Sequence, residues 1–513
     1  MLWLALHLPL LSLEAFCATL PAGVADGPVA LLGQHQLTHV NAQAAALGLL
    51  PGLKRATALA LVPQLLLAEA APGRDAAALQ AVVHAALAFT PAVTVQDSLT
   101  VLLDVQASLR LFGGLPALRQ RLGDALAPLR HHVQLAAAPT ALGAAMLAQW
   151  HPRGRGDLML GPHATQLPAL QALLDEAPVW MLQAGREHAA GLQGMGLHTL
   201  AQLRALPRDG VARRFGEGLL DEIDRALGTQ ADPRRFAVLP AVFESRLELH
   251  TRAENTDQVL HGAAVLLARL VAWAQAQHAR VGAFTLRMLH ERQRQVTAPP
   301  TELHVALAEP ALDAAHLQSL LRERLGRCQL AEPTLELRLH CQNLVAGHAP
   351  NGELFPTRAS ADEGLTRLLE RLRARLGDHQ VLRLLPVADH RPERATQAVP
   401  VQGGAAPNSG AAVDIAEVLR AIATSTLPLH RPAWLLPGPL PLSTRDTQPL
   451  LQGRPLQLVS GPERIETGWW DGAPVARDYF IALAEDGSLV WLYRSRMPAV
   501  PGEVTWFLQG LFA

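Results

Sequence analysis

The chain has 513 residues, 49% of them hydrophobic and 17% charged, a balance that excludes a disordered or fibrous protein and points to several packed domains. A formal net charge of -1 excludes retention on nucleic acid by bulk charge, since phosphate neutralisation then needs a local basic surface. Lys54 is the single lysine; GC-rich coding bias accounts for the arginine excess, so no function is drawn from it.

The opening MLWLALHLPLLSLEAFCA is apolar like a leader, but it lacks a basic start, is interrupted by His7 and Pro9, and has bulky Phe16 before Cys17. It predicts a buried strand over Leu2 to Leu8 that runs into a helix. No apolar run reaches the roughly 18 residues of a membrane span without proline or charge, so no membrane partner is expected. The alternation over residues 98 to 105 and 132 to 139 predicts two more core strands. Helical patterns over 76 to 89 and 115 to 129 separate them, giving an α+β domain over about 1 to 165 with a helix-rich insertion at about Leu32 to Leu67.

Residues 170 to 235 read as all-helical. Their centre, GLQGMGLHTLAQLRALP, puts Gly194 and Gly196 in a tight turn before a helix capped near His198 or Thr199, a helix-hairpin-helix pattern. Such glycines let backbone N–H groups approach a phosphate, and the following helix N-terminus adds a favourable dipole. An ordinary helical hairpin with glycine at a C-cap accounts for the same letters. From about 240 to 345 the order becomes β-α-β-β-α-β, a split-βαβ module with helices over 259 to 278 and 314 to 325.

Residues 346 to 412 read as a linker carrying a short helix over 363 to 376. In that helix Arg367, Arg371, Arg373 and Arg375 alternate with Glu363 and Glu370, as on a solvated or partner-facing surface. Residues 413 to 513 gather Trp469, Trp470, Tyr479, Trp491, Tyr493 and Trp506, predicting a small β-rich domain. Its aromatics either form a core or stack on single-stranded DNA bases. Cys17, Cys328 and Cys341 lie too far apart for a zinc site or disulfide framework, which fits a reducing cytosol.

Several phrases, in order, resemble the Y-family of translesion DNA polymerases. ALGLLPGLKRATALALVPQL (46 to 65) is similar to the family's fingers, DSLTVLLDVQASLRLFGG (97 to 114) to its central palm hairpin, AAAPTALGAAMLAQ (136 to 149) to its next palm helix, and FGEGLLDEIDRALG (215 to 228) to its thumb. The resemblance covers about residues 1 to 345. It implies an α+β multidomain fold: a palm over 1 to 165 with a fingers insertion at about 32 to 70, and a helix-hairpin-helix thumb over 166 to 236. A split-βαβ little finger over 240 to 345, the linker, and a β-rich C-terminal extension over 413 to 513 complete it.

Polymerases of that family need two divalent metals held by carboxylates, which activate the primer hydroxyl and offset triphosphate charge. Where the resemblance places the D-x-D of the first strand, this chain has Ala5 and His7. Where it places the Asp and Glu of the palm hairpin, Leu99 and Thr100 stand. The fingers Tyr and Arg align with Ala42 and Ala45, and the palm-helix Lys with Ala145. The resemblance therefore implies no catalytic residue, nucleotide site, metal or cofactor, as in the non-catalytic Y-family members of bacterial damage-induced mutagenesis cassettes.

Such a member implies DNA, a sliding clamp, an error-prone replicative-type polymerase and a RecA-like accessory protein as partners, in a cytoplasmic, nucleoid-associated setting. NGELF, with Asn351 in place of the usual Gln ahead of Leu354 and Phe355, is the expected clamp peptide, and QGLF (509 to 512) a weaker one. Gly194, Gly196, Thr199, Arg213 and Arg214 are the expected DNA contacts. Two rival readings stand beside this one. One is an active polymerase that recruits Asp97, Asp104 and Glu14; the other is a helix-hairpin-helix DNA-binding protein without clamp partners.

Overall fold

The computed structural model describes every residue except 151–157, 292–298, 331, 347–357, 378, 402–430, 433, 498–504 and 513. The chain divides into two units, Met1–Arg375 and Leu376–Ala513.

In the first unit, β1 (Trp3–His7) leads into α1 (Leu11–Cys17), as the opening residues predict. β2 (Val29–Gly33) and β3 (Gln36–Val40) then form a hairpin, α2 (Ala42–Ala46) and α3 (Arg55–Leu61) follow, and β4 (Leu66–Glu69) pairs parallel with β2. The insertion expected to be helix-rich is therefore a three-stranded sheet, ordered β3-β2-β4, with two helices of 5 and 7 residues. Its hairpin closes through Gln34 and His35 at φ 49° and 67°, side chains that advertise no turn, and its Ala-rich strings are too short to carry a helical domain.

Next come α4 (Pro72–Leu87), β5 (Val93–Gln96), β6 (Thr100–Asp104), α5 (Leu109–Phe112), α6 (Leu115–Leu126), β7 (Val133–Ala138), α7 (Ala141–Gln149) and β8 (Leu158–His163). They build a sheet ordered β5-β6-β1-β7-β8, in which β1 runs antiparallel to both neighbours. The period of two along each strand sorts side chains onto two cores. Leu4, Leu6, Val101 and Leu103 pack with Leu11, Val82, Leu118 and Leu122 on one face. Trp3, Ala5, Leu102 and Ala136 pack on the other, under α7 and the helices that follow.

Those helices are α8 (Leu167–Glu176), α9 (Gln183–Glu187), α10 (Ala189–Gly194), α11 (Leu200–Arg204), α12 (Arg208–Phe215) and α13 (Glu217–Leu227), the expected all-helical stretch. Gly143 permits their approach: a Cβ there would lie 2.5 Å from Thr140 Oγ1, 2.9 Å from Leu170 and 3.1 Å from the Ala226 carbonyl. Then β9 (Phe243–Ala253), α14 (Thr256–Ala276), β10 (Ala279–His290), β11 (Thr301–Ala311), α15 (Ala314–Leu325) and β12 (Thr334–Ala346) give the predicted β-α-β-β-α-β order. The sheet runs β11-β10-β12-β9, every pair antiparallel, so β12 separates the parallel strands β9 and β10 and splits the unit. α14 is long and apolar enough to cross a membrane, but it serves as the core helix of this sheet and inserts Ala272 among the residues packed on α4.

α16 (Arg358–Leu376) closes the unit and departs from the solvated reading. Glu370 is buried and accepts hydrogen bonds from His316 Nε2 at 2.8 Å and from the backbone N–H groups of Ala308 and Glu309 at 2.5 and 3.0 Å. Burial by itself raises a carboxyl pKa, yet these three donors outweigh it and hold Glu370 below the usual range.

The second unit begins with β13 (Leu382–Pro386) and β14 (Thr396–Pro400), an antiparallel hairpin inside the stretch expected to be linker. Arg391 explains why it is ordered. Only 2% exposed, its guanidinium bonds both carboxylate oxygens of Asp389 and both of Asp471, and the Ala473 carbonyl. β15 (Trp434–Arg445), β16 (Gln448–Leu451), β17 (Arg454–Pro455), β18 (Gln457–Thr467), β19 (Val475–Leu483), β20 (Leu489–Ser495) and β21 (Trp506–Leu511) make the expected β-rich block. They form one sheet ordered β17-β16-β15-β21-β20-β19-β18. The chain as a whole is α+β.

Candidate functional site

The positions that resemblance assigns to metal-binding carboxylates lie on β1 and at the start of β6. Ala5 faces Leu102 on β6 and Ala136 on β7; His7 faces Thr100 and Gln134. Ala5 and Thr100 are 0% exposed, and Ala5 shares its packed cluster with Ala145, the position of the phosphate-contacting lysine. Leu99 packs toward the opposite core. This is an apolar seam closed by α7, with one polar row at its end where His7 Nδ1 and Thr100 Oγ1 hydrogen-bond at 2.9 Å.

Burial lowers the His7 pKa to about 4, and burial does the same to His84 on α4. An unfolded histidine titrates near 6.5, so between about pH 6.5 and 4 the unfolded chain binds protons that the folded chain refuses. Stability is full above that window and falls as pH drops through it. Urea unfolding is expected to show a loss of about 1–2 kcal/mol per histidine between pH 7 and pH 5, with a shallower slope in His7→Gln. An unchanged slope in that variant would remove His7 from the account.

Of the three remaining acids, one reaches the end of this seam and two do not. Asp97, in the β5–β6 turn where it and Ser98 adopt φ 50° and 55°, reaches the polar end of the seam: its carboxylate accepts a hydrogen bond from the Thr100 side chain, and partial burial raises its pKa. Asp104 pairs with Trp3 at the far end of β6, about 13 Å from Thr100 by strand rise, and accepts the Gln106 N–H. Glu14 is engaged by His131 Nδ1 at 3.1 Å and by the His132 N–H at 3.0 Å. Among the described residues no group of three or more His, Cys, Asp or Glu is placed to hold a metal ion.

Ala42 and Ala45 are exposed on α2. That short helix exists because Asn41 caps it, accepting the Ala44 N–H at 2.9 Å and the Val29 N–H at 3.1 Å while donating to the Gly27 carbonyl. No side chain of α2 at those two positions can grip a phosphate.

Among the expected DNA contacts, Gly194 ends α10 and Gly196 turns the chain at φ +73°, with open space around both. Thr199 is the cap of α11, as predicted, in a reciprocal box with Gln202. Its hydroxyl is therefore committed to its own helix, leaving backbone as the contacting group. Arg213 and Arg214 are exposed on α12; Arg213 Nε donates to the Asp209 carbonyl, and Arg214 lies 5.7 Å from the Phe215 ring centroid. Neither has an ion-pair partner among the described residues.

In the second unit Tyr479, Trp491, Tyr493 and Trp506 are core, whereas Trp469 and Trp470 are 75% and 55% exposed and pack edge to face. Of the two clamp peptides, Asn351, Leu354 and Phe355 lie outside the described residues. The weaker one, QGLF, is corrected: Gln509 is 1% exposed, accepts the Tyr479 hydroxyl at 2.7 Å and donates to Glu393 at 2.8 Å, so its amide is unavailable to a partner.

No protein-family model matches the chain. Two relatives, both described as protein ImuB, come from Caulobacter vibrioides strains NA1000 / CB15N and ATCC 19089 / CIP 103742 / CB 15. Each is 30% identical over 485 residues, which is 91% of this chain and 100% of the relative. Solved structures similar to it include an insertion ternary complex of Dbh DNA polymerase (15% identity, TM-score 0.38) and DinB from Sulfolobus solfataricus (14%, TM-score 0.36). Each match covers 68% of this chain and 100% of the other.

Proposed function

The chain belongs to the ImuB family, and from that membership we propose that it is a non-catalytic, Y-family polymerase-like scaffold for DNA repair and error-prone translesion synthesis in the cytoplasm. Residues 1–165 act as palm with a fingers insertion, 166–236 as thumb and 240–345 as little finger. The chain holds damaged DNA and bridges a sliding clamp, an error-prone replicative-type polymerase and a RecA-like accessory protein.

One observation carries the reading. The seam that would carry two-metal chemistry is apolar and packed shut around Ala5, Thr100 and Ala145; Asp104 and Glu14 are turned to other partners, and Asp97 alone reaches its polar end, at Thr100. A single carboxylate at one end of an apolar seam supports a reading without two-metal chemistry, in which the chain uses no metal or nucleotide cofactor. DNA is held instead by the Gly194–Thr199 turn through its backbone and by Arg213 and Arg214, and the clamp by Asn351, Leu354 and Phe355.

Primer extension with Mg²⁺ or Mn²⁺ on damaged and undamaged templates, with clamp pull-down from the same preparation, tests this. We expect no incorporation, retention of the clamp, and loss of that retention when Asn351, Leu354 and Phe355 are changed to Ala. Incorporation that disappears in Asp97→Ala with Asp104→Ala would overturn the non-catalytic reading.

A further inference from the structure

The connector between α13 and β9 is laid against the edge strand β5. The Ala237 N–H donates to the Val93 carbonyl at 2.7 Å, and Arg234 donates from Nη1 to Gln96 Oε1 at 2.7 Å while forking onto Asp232. Under this connector lies an open cavity of about 470 Å³ lined by Thr94, Gln96, Glu222, Arg225, Arg234 and Arg235. A second, of about 710 Å³, shares Arg225 and Asp232 with it, so the two meet at those side chains.

The charges in this groove are not equally committed. Arg234 and Asp232 neutralise each other, and Glu222 accepts the Ala184 N–H. Arg225 is fixed by one bond from Nε to the Asp221 carbonyl; its terminal nitrogens, and the whole guanidinium of exposed Arg235, have no partner among the described residues. Two arginine forks with open donors, beside Thr94 and Gln96, suit an anion with several equivalent oxygens far better than an apolar ligand.

Position narrows the choice. Thr94 and Gln96 pair with Leu102 and Thr100, so they stand on the same sheet face as the closed seam, one strand or about 4.8 Å across from it. We infer that this groove binds the phosphodiester backbone of a DNA strand, with Arg225 and Arg235 as its phosphate contacts. The inference rests on the DNA-holding reading above and adds a second grip, independent of the α10–α12 contacts. DNA held there passes beside the seam without entering it, which is what a scaffold that presents a template to another polymerase requires.

The test is fluorescence anisotropy of the full chain with a labelled primer–template at several salt concentrations. Arg225→Gln with Arg235→Gln is compared with Arg213→Gln with Arg214→Gln and with Arg225→Lys with Arg235→Lys. We expect the Gln pair in the groove to raise Kd about tenfold near 0.15 M salt and to reduce the slope of log Kd against log salt by roughly 1.5–2. The Lys pair should recover most of that slope. A wild-type slope and affinity in the groove Gln pair, with affinity lost only in the Arg213 and Arg214 pair, would overturn the groove while leaving DNA holding intact. Absence of DNA binding by the unaltered chain would remove both. Weaker binding with an unchanged salt slope, or loss of a pulled-down acidic protein partner with DNA affinity intact, would also overturn the phosphate assignment.

Discussion

Ala5→Asp is expected to lower the unfolding free energy at pH 7 by about 3–5 kcal/mol, without producing primer extension. Ala5 is fully buried and faced across the strands by Leu102 and Ala136, with α7 above it. A carboxylate there finds no cation: its neighbours in the cluster are hydrocarbon, and the polar pair of His7 and Thr100 lies one row further along the strands, with its hydrogen bond already made. Burying an unpaired charge is costly enough that the group protonates instead, leaving an unsatisfied acid plus the strain of added volume. The sign of the pH dependence follows. With a folded pKa raised above about 3.9, the damage is full at neutral pH and shrinks as the medium becomes acidic enough to protonate the unfolded chain too. Urea unfolding of the variant at pH 7 and pH 5 measures both effects. Wild-type stability at pH 7 would mean that water reaches the seam and that it is not closed.

Much of this was legible from residue patterns, for physical reasons that also mark where legibility stops. β1, β6 and β7 announce themselves because strict alternation over a two-sided core leaves few other readings. The β-α-β-β-α-β order was equally readable, since each element is long and bounded by turn residues. The insertion was misread because β2 pairs with β4 across two Ala-rich helices, and a parallel pairing between distant short strands leaves no local mark. Arg391 and Glu370 were missed for a related reason. A charged residue looks solvated in sequence, and only the tertiary placement of Asp471 or of the β11 backbone makes it an anchor. In the candidate site, only the resemblance marks Ala5, His7, Leu99 and Thr100 as positions where carboxylates would be expected, while the packing of the seam came from strand register. Arg225 and Arg235 carry no sequence signal that separates them from any other solvated arginine.

Glu370→Ala is the second change with a large expected effect, about 3–5 kcal/mol. β11 is an edge strand, and its register with β10 is broken between the pairs Val281–Ala311 and Ala283–Ala306. Ala308 and Glu309 fall inside that break, so their N–H groups turn to the Glu370 carboxylate instead. Removing it strands those two donors, together with buried His316, each costing about 1–3 kcal/mol when left without a partner. Glu370→Gln keeps one acceptor and should lose roughly half as much. Because the folded carboxyl sits below its ordinary value, the wild-type contribution is present above about pH 4.3 and disappears as pH falls through the folded pKa; the Ala variant should lack that acid-sensitive share. Urea unfolding gives the magnitude, and hydrogen exchange over 301–311 and 365–376 gives the location, where protection should drop first. A loss under about 1 kcal/mol, or unchanged exchange in α16, would reduce Glu370 to a surface acid. The anchor also bears on the proposed clamp peptide. β12 ends at Ala346 and α16 begins at Arg358, so in sequence the segment containing Asn351 to Phe355 lies between two elements of the first unit. Glu370→Ala should leave clamp retention intact, separating the role of Glu370 in stability from that proposed for Leu354 and Phe355 in binding.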